Sequence, residues 1–466
     1  MSPVESVQVA IIGAGLSGLR AATEIHNAGL SYVVLEGMDR VGGKTLSVPT
    51  SSTGDAVIDL GAAWINDTTQ AQMYALAQEF GFNLIPQRAE GLSIHQDAQG
   101  GFKMLPFGVP TDMTEEEQVL FHEFISKLME YVERSDLRNP HLGPDAATLD
   151  SLTVAEFIEK EFSSPIILGL ATTLTRAILG VDAHEVSALY LVDFIKSGDG
   201  FVNITSDVKD GAQYLRNQQG NQTFSVKLAA KLNPGTVKLS SGVVSIEQFN
   251  DYAAICTNDG KVYHAKKIIS SVPTCLLPLI KFTPALPSAK QTLTESTKLG
   301  YYSKTVLVFS EPWWRAANLS GAYSSNFGAI AFTRDTCTPE NGQFSITCFH
   351  VGETGRKWSA LDDAERRRVV LEEFKAAFGT IVSEIPEPLN IIEKEWTKDP
   401  WARGNPNPVM MPGLMTSDAG QSIREPVQHV HFVGTETSYE WKGYMEGAVL
   451  SGIRGAKEVV DLLKSE

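Results

Sequence analysis

One stretch constrains this chain more than any other. Val7 to Ile12 is a continuous apolar run of strand length, as a strand covered on both faces requires. Gly13-Ala14-Gly15-Leu16-Ser17-Gly18 follows at once, then Leu19 to Ala28 at helical spacing, closed by Gly29. Ser31 to Leu35 reads as a second β-branched strand with Glu36 at its end. This is a βαβ unit with a glycine loop at its first turn. Gly13 allows the tight strand-to-helix turn, Gly15 lets backbone approach a pyrophosphate, and Gly18 lets helix and strand pack closely. Glu36 lies 23 positions after Gly13, near the ~20 at which an acid meets a ribose hydroxyl pair, and a carboxylate there disfavours NADP. A bare glycine triplet is a weak signal; strand, helix and terminal acid together make it a dinucleotide site.

The rest of the chain has enough apolar material for a large core. It has 466 residues, 43% hydrophobic and 20% charged. Acids outnumber bases 55 to 39, for a formal charge of −16, which argues against nucleic acid and anionic membranes as partners. The start, Met1-Ser2-Pro3-Val4-Glu5, lacks a signal-peptide flank, no apolar run has the ~18 residues of a membrane span, and the last three residues match no peroxisomal tripeptide. The expectation is a cytoplasmic protein with four reduced, scattered cysteines and no metal site.

Along the chain the pattern turns helical from about Pro110 to Ser197, becomes β from Thr236 to Val272, shows strands at Lys304 to Phe309 and Phe344 to Phe349, and predicts a helix over Leu361 to Phe378. His429 to Val433 reads as a strand, Gly434-Thr435-Glu436 as a turn and Met445 to Leu463 as a helix. The fold class expected is α/β: a doubly wound, Rossmann-like dinucleotide domain interleaved with a mixed sheet-plus-helices domain. The first is assigned to residues 1–75, 222–290 and 405–466, the second to 76–221 and 291–404.

A second glycine pair decides between dinucleotides. Asp39-Arg40-Val41-Gly42-Gly43-Lys44 follows Glu36, and Asp59-Leu60-Gly61-Ala62-Ala63-Trp64 comes soon after. Here the chain resembles the flavin-containing amine oxidase family, whose pattern is Arg-x-Gly-Gly-Arg and then Asp-Leu-Gly-Gly-x-Trp. It departs at Lys44 and Ala62; a lysine still neutralises phosphate but loses the bidentate fork. The resemblance continues in Val243-Val244-Ser245-Ile246-Glu247, in Gly434-Thr435-Glu436-Thr437 and in Gly443-Tyr444-Met445-Glu446-Gly447-Ala448.

The resemblance implies FAD, held by Gly13, Ala14, Gly15, Ser17, Gly18, Glu36, Gly43, Lys44, Gly61, Ala62, Ala63, Trp64, Val244 (adenine end), Gly434, Glu436, Tyr444, Met445 and Ala448. It implies that Lys304 hydrogen-bonds through water to flavin N5; the residues alone leave open a strand-end lysine reaching solvent. Tyr444 is one wall of an aromatic cage. In the family's Trp-x-x-x-x-[aromatic]-Ser-Gly-Gly-Cys-Tyr pattern this chain reads Trp396, Trp401, then Asn405 at the cysteine and Pro406 at the second tyrosine. FAD is therefore expected to be non-covalent, and Trp401 is the candidate second wall. The partners implied are a small-molecule amine and O2, with a homodimer as assembly.

The activity implied is oxidation of a primary amine to a carbonyl compound, ammonia and hydrogen peroxide, with a long-chain, fumonisin-like aminopolyol as substrate. The alternatives are a polyamine oxidase, a desaturase- or protoporphyrinogen-oxidase-like enzyme acting on a C–C bond, and a flavin-bearing scaffold without turnover.

Overall fold

The computed structural model describes residues 4–51, 56–97, 99–109 and 111–465; Met1, Ser2, Pro3 and Pro110, named above, and the last of the three final residues lie outside them. Strand β1 (Glu5–Ile12) leads through the glycine loop into helix α1 (Leu16–Asn27) and back to strand β2 (Tyr32–Leu35). β1 and β2 pair in parallel, and Val262–Ser270 flanks β1 in parallel on its other edge. Val9, Ala10 and Ile11 are fully buried, which is what the unbroken apolar run requires. The sheet they centre has eight strands, drawn from residues 5–35, 237–283 and 430–432. One face packs on α1 and on the last helix, Met445–Ser465; the other packs on Leu277, Ile280 and Leu286.

A second, seven-stranded sheet runs Asn390–Lys394, Tyr302–Phe309, Phe344–Val351, Phe332–Asp335, Leu319–Ser324, Leu92–Gln96, Phe102–Pro106. The alternation of Tyr302–Phe309 shows how it sits. Leu307 and Phe309 face a layer made by the helix Asp363–Phe378 with Trp313, Trp314 and Trp358. Val306 and Val308 face the other way, onto Ile58 and Leu60. Lys304 shares that second face with them. A block of helices, Glu115–Arg134, Val154–Glu161, Pro165–Leu179 and Ala188–Ser197, forms a separate core. Thr114 with Glu117 and Thr153 with Glu156 close two capping boxes, fixing where the first two of these helices start.

The architecture is the α/β arrangement expected, with elements shifted by one to three residues at their ends. The helix expected from Leu361 begins after Asp362, whose side chain accepts from Glu365 N. Leu92–Gln96, Phe102–Pro106, Leu319–Ser324 and Phe332–Asp335 are strands the sequence reading did not name. Leu319-Ser320-Gly321-Ala322-Tyr323-Ser324 carries no β-branched residue, so its strand state comes from its neighbours in the sheet.

Candidate active site

The two sheets enclose a cavity of about 350 Å³. Its first end is backbone. Gly13 turns at φ +96°, and a Cβ on Gly18 would stand 2.0 Å from Gly13 O, so helix α1 reaches β1 only with glycine at Gly18. Gly15 faces the cavity, and a Cβ there would meet nothing nearer than Gly43 Cα at 4.0 Å. The second glycine pair clasps the first loop, with Gly42 N donating to Ala14 O at 2.9 Å. The Arg40 guanidinium folds that pair by donating to Gly43 O at 2.8 Å and Thr45 O at 3.0 Å.

Glu36 stands at the end of β2, 6% exposed, with Oε2 accepting from Ala14 N at 2.6 Å and Oε1 from Met38 N at 2.8 Å. Burial lifts its carboxyl above the usual range, opposed by those two amides. Each oxygen keeps a lone pair for a hydroxyl. Lys44 lines the cavity and donates to Pro406 O at 2.9 Å; burial lowers its ammonium, while the nearby Glu436 acts in the opposite direction. Glu436 accepts from Thr274 N at 3.0 Å, and burial raises its carboxyl.

These residues fit a flavin adenine dinucleotide. A floor of side-chain-free backbone, a buried carboxylate with spare acceptor capacity, a half-buried cation without a bonded carboxylate and the start of the last helix border one space. Met445 and Ala448 of that helix line it, as do Ser17, Gly61, Ala62, Ala63 and Gly434. Ala14 contributes through its amide to Glu36 and Gly18 through packing beneath the loop.

Two expected residues are placed differently. Val244 is not in the cavity wall: it stands where the pairing of Val243–Gln248 with Ala253–Thr257 breaks register, 40% exposed, and Gly242 and Val243 line the wall instead. A bulge turns the next side chain outward. Trp401 is not opposite Tyr444. Its indole covers Gly37 and Gly242, so closely that a Cβ on either glycine would stand within 2.5 Å of the ring. It therefore roofs the Glu36 end. The cause is local: Asp399 Oδ1 accepts from the amides of Trp401 and Ala402, which turns the chain there.

The other end of the cavity is made of side chains. Lys304 is 4% exposed, which removes the solvent-facing alternative. Its Nζ donates to Asp59 O at 3.0 Å and Gly61 O at 2.6 Å, and lies 5.7 Å and 5.2 Å from the ring centres of Trp64 and Phe349. Burial lowers its pKa to about 8. Tyr444 lines the cavity between Trp441 (ring centres 5.0 Å) and Phe194 (5.8 Å), and Thr435 Oγ1 donates to its carbonyl at 2.8 Å.

Three residues here escaped the sequence reading. Tyr302 lies two before Lys304 and so shares its face; it packs edge-on to Phe349 at 5.7 Å and is near enough to Tyr444 for one phenolate to raise the pKa of the other. The alternation of that strand was the signal that could have found it. Gln213 donates from Nε2 to Ile204 O at 3.1 Å, and its buried Oε1 has no partner in the protein. Gln213 and Ile178 sit in segments without any motif.

A family profile described as flavin containing amine oxidoreductase matches residues 16–460. The chain is 30% identical to a probable flavin-containing monoamine oxidase A of Dictyostelium discoideum, over 98% of either chain. It is 30% identical to flavin-containing amine oxidase B of Homo sapiens, over 97% of this chain and 86% of that one. Among solved structures, cyclohexylamine oxidase from Brevibacterium oxydans superposes with a TM-score of 0.90 at 29% identity, covering 98% of this chain and 99% of that one. A putrescine oxidase double mutant gives 0.90 at 25%, covering 98% and 100%.

Proposed function

The chain belongs to the family of flavin-containing amine oxidoreductases, with FAD as cofactor, and on that premise we propose that it oxidises a primary monoamine with a bulky, apolar body. The observation that carries this is the chemistry of the amine end. Trp64, Ile178, Tyr302 and Tyr444 surround it, Gln213 adds one amide, and the acids among the described residues lining the cavity are Glu36 and Glu436, both beside the dinucleotide segments. A diamine such as putrescine would bring a distal ammonium with no carboxylate to meet it. With Pro406 at the second tyrosine of the family pattern, Tyr302 is the second aromatic wall, and the apolar surfaces of Ile178 and Trp64 suit the aliphatic body of a long-chain amine, an aminopolyol's included.

FAD, when bound, supplies the acceptor for two electrons from the amine carbon and passes them to O2. The chain's own groups do the rest. The aromatic walls exclude water and present an apolar face to an uncharged amine. Gln213 Oε1 is an unpaired acceptor available to an amine N–H. Two of the Lys304 donors are fixed by Asp59 O and Gly61 O, leaving the third for the cavity. A cationic Lys304 repels a substrate ammonium, so the amine reacts as the free base. The imine product hydrolyses to a carbonyl compound and ammonia.

Segments 1–75, 222–290 and 405–466 are the ones we assign to holding the cofactor, through the glycine loop, Glu36, Lys44 and the last helix, without a covalent bond. Asn405 and Pro406 line the cavity, and in the family pattern they take the places of its cysteine and its second tyrosine. Cys275 is near Lys44 and Glu436, but burial pushes its thiol up to about 11, so it is the unreactive protonated form at neutral pH. A panel of benzylamine, a long-chain alkylamine, an aminopolyol and putrescine in a peroxide-coupled assay tests the reading. Peroxide from the monoamines, with kcat/KM for putrescine at least about ten-fold lower, is expected from one unmatched charge. Preference for putrescine overturns the monoamine assignment, and no peroxide from any amine favours a C–C substrate.

A further inference from the structure

Behind Lys304 lies a second, smaller chamber of about 20 Å³, enough for one water by the ~10–15 Å³ criterion. Lys304, Ala63 and Trp64 line both it and the main cavity, so they form the partition. The far walls are polar: Asp59, Arg216, Asn217 and the hydroxyl-bearing Thr336, Thr338 and Thr347.

Two of these groups are poorly matched without a guest. Arg216, 8% exposed, donates from Nη1 to Thr336 O and from Nη2 to Cys337 O, and its buried Nε has no partner. It has no carboxylate of its own: Asp335 is already held by Arg315, at 2.7 Å and 2.9 Å. A buried guanidinium bonded only to carbonyls is costly unless an anion lies near. Asp59 is the other anion whose charge reaches it. Asp59 Oδ1 accepts from Ser47 Oγ at 2.6 Å and from Asn221 N at 2.9 Å, which fixes the carboxylate on the chamber wall.

We propose that Asp59 and Arg216, bridged by water in this chamber, are positioning residues that set the charge of Lys304 from behind, without touching amine or cofactor. Asp59 stabilises the ammonium; Arg216 keeps Asp59 ionised so that it can do so. Among the described residues, Asp59 is the charge that acts on Lys304. Lys394, in register with Lys304 on the neighbouring strand, is tied to Asp399 at 2.9 Å, and the opposite neighbour is Phe349. The directions agree with the geometry: burial lowers Lys304 to about 8, opposed by Asp59, and burial raises Asp59 to about 6, opposed by the Ser47 and Asn221 hydrogen bonds and then by the charges of Lys304 and Arg216. The partition thus lets the protein tune a cation in a dry cavity through a wet one.

The inference builds on the active-site role given to Lys304, but its readouts are titrations of the holoenzyme that need no substrate. ¹³C-labelled lysine NMR, with Lys304→Met for assignment, reads the Lys304 midpoint. Infrared absorption of a protonated carboxyl, assigned by its loss in Asp59→Asn, reads Asp59. Asp59→Asn should lower the Lys304 midpoint by about half a pH unit or more, and Arg216→Gln should raise that of Asp59 by a smaller amount, since the Ser47 and Asn221 hydrogen bonds remain. If Asp59→Asn does not fold, Asp59→Glu assigns the infrared band by shifting it, and the Arg216→Gln titration then decides. An unmoved Asp59 midpoint in Arg216→Gln, an unmoved Lys304 midpoint in folded Asp59→Asn, or a crystal structure with no water at Arg216 Nε overturns the proposal. Failure of the amine panel leaves these titrations unchanged.

Discussion

The two ends of the cavity are built from different materials. The dinucleotide end is made of close backbone approach: Gly18 against Gly13 O, Gly43 against Gly15, amides aimed at Glu36. The amine end is made of side chains from Trp64, Ile178, Gln213, Tyr302, Lys304 and Tyr444, which come from the second sheet, the helix block and connecting segments and meet only in the folded chain. Backbone approach leaves glycine as its only solution and so writes itself into the chain as a local motif. A side-chain wall has many solutions and leaves little trace. The first end specifies a cofactor shared across a family; the second is free to vary with substrate.

Mutations should separate the ends, and the largest effect belongs to the first. In Gly18→Ala a methyl group would stand 2.0 Å from Gly13 O, against backbone that cannot yield without moving β1. Purified protein should carry almost no FAD, and normal flavin absorbance at 450 nm would show that the loop has slack.

Lys304→Met should do the reverse: FAD stays bound, while flavin reduction or reoxidation in stopped flow slows by roughly 10²-fold, the cost of one preorganised donor. Near-wild-type rates for both half-reactions would remove Lys304 from the site. Glu36→Ala comes next, weakening FAD by ten-fold or more, since each charge-assisted hydrogen bond contributes roughly 1.5–3 kcal/mol. A fully flavinated variant after dialysis would mean that another acid holds the ribose.

The last effect is on stability, not on the site, and is a linkage one. Burial holds the Lys304 midpoint at about 8, below the ~10.4 of an unfolded lysine, so between those values the unfolded chain binds more protons. Stability therefore rises with pH across that window, by on the order of 3 kcal/mol at most. Wild-type apoprotein should gain stability relative to Lys304→Met in denaturant melts from pH 8 to pH 10. Parallel pH curves would show that Lys304 is solvated.

Legibility followed the same division. The βαβ unit, the glycine pairs, the strands around Val262–Ser270 and the final helix were readable because local pattern and final state agree. Lys304 was conspicuous as an ammonium in an apolar strand. Trp401 was misplaced because counting along a motif fixes a position in sequence but not the turn that Asp399 imposes there. Val244 was off by one residue because a bulge is invisible to a period-two count. Gln213 could not have been found: nothing in Gln213-Tyr214-Leu215 differs from any strand entry.

The meeting of α1 with the last helix has a consequence in time. Ser17 Oγ donates to Ala448 O at 2.7 Å, and a Cβ on Gly452 would stand 2.3 Å from Ser17 O. Ser17 and Ser451 are 434 positions apart. At a ribosomal pace of ~5–20 residues per second, the glycine loop waits roughly 20–90 s for the helix that completes its site. During that interval the nascent chain carries a nucleotide cradle with one wall missing and an apolar face of α1 uncovered. Capture of FAD thus waits for the synthesis of that helix rather than following that of the glycine loop, and a premature stop anywhere before it yields a protein with no complete place to put the cofactor.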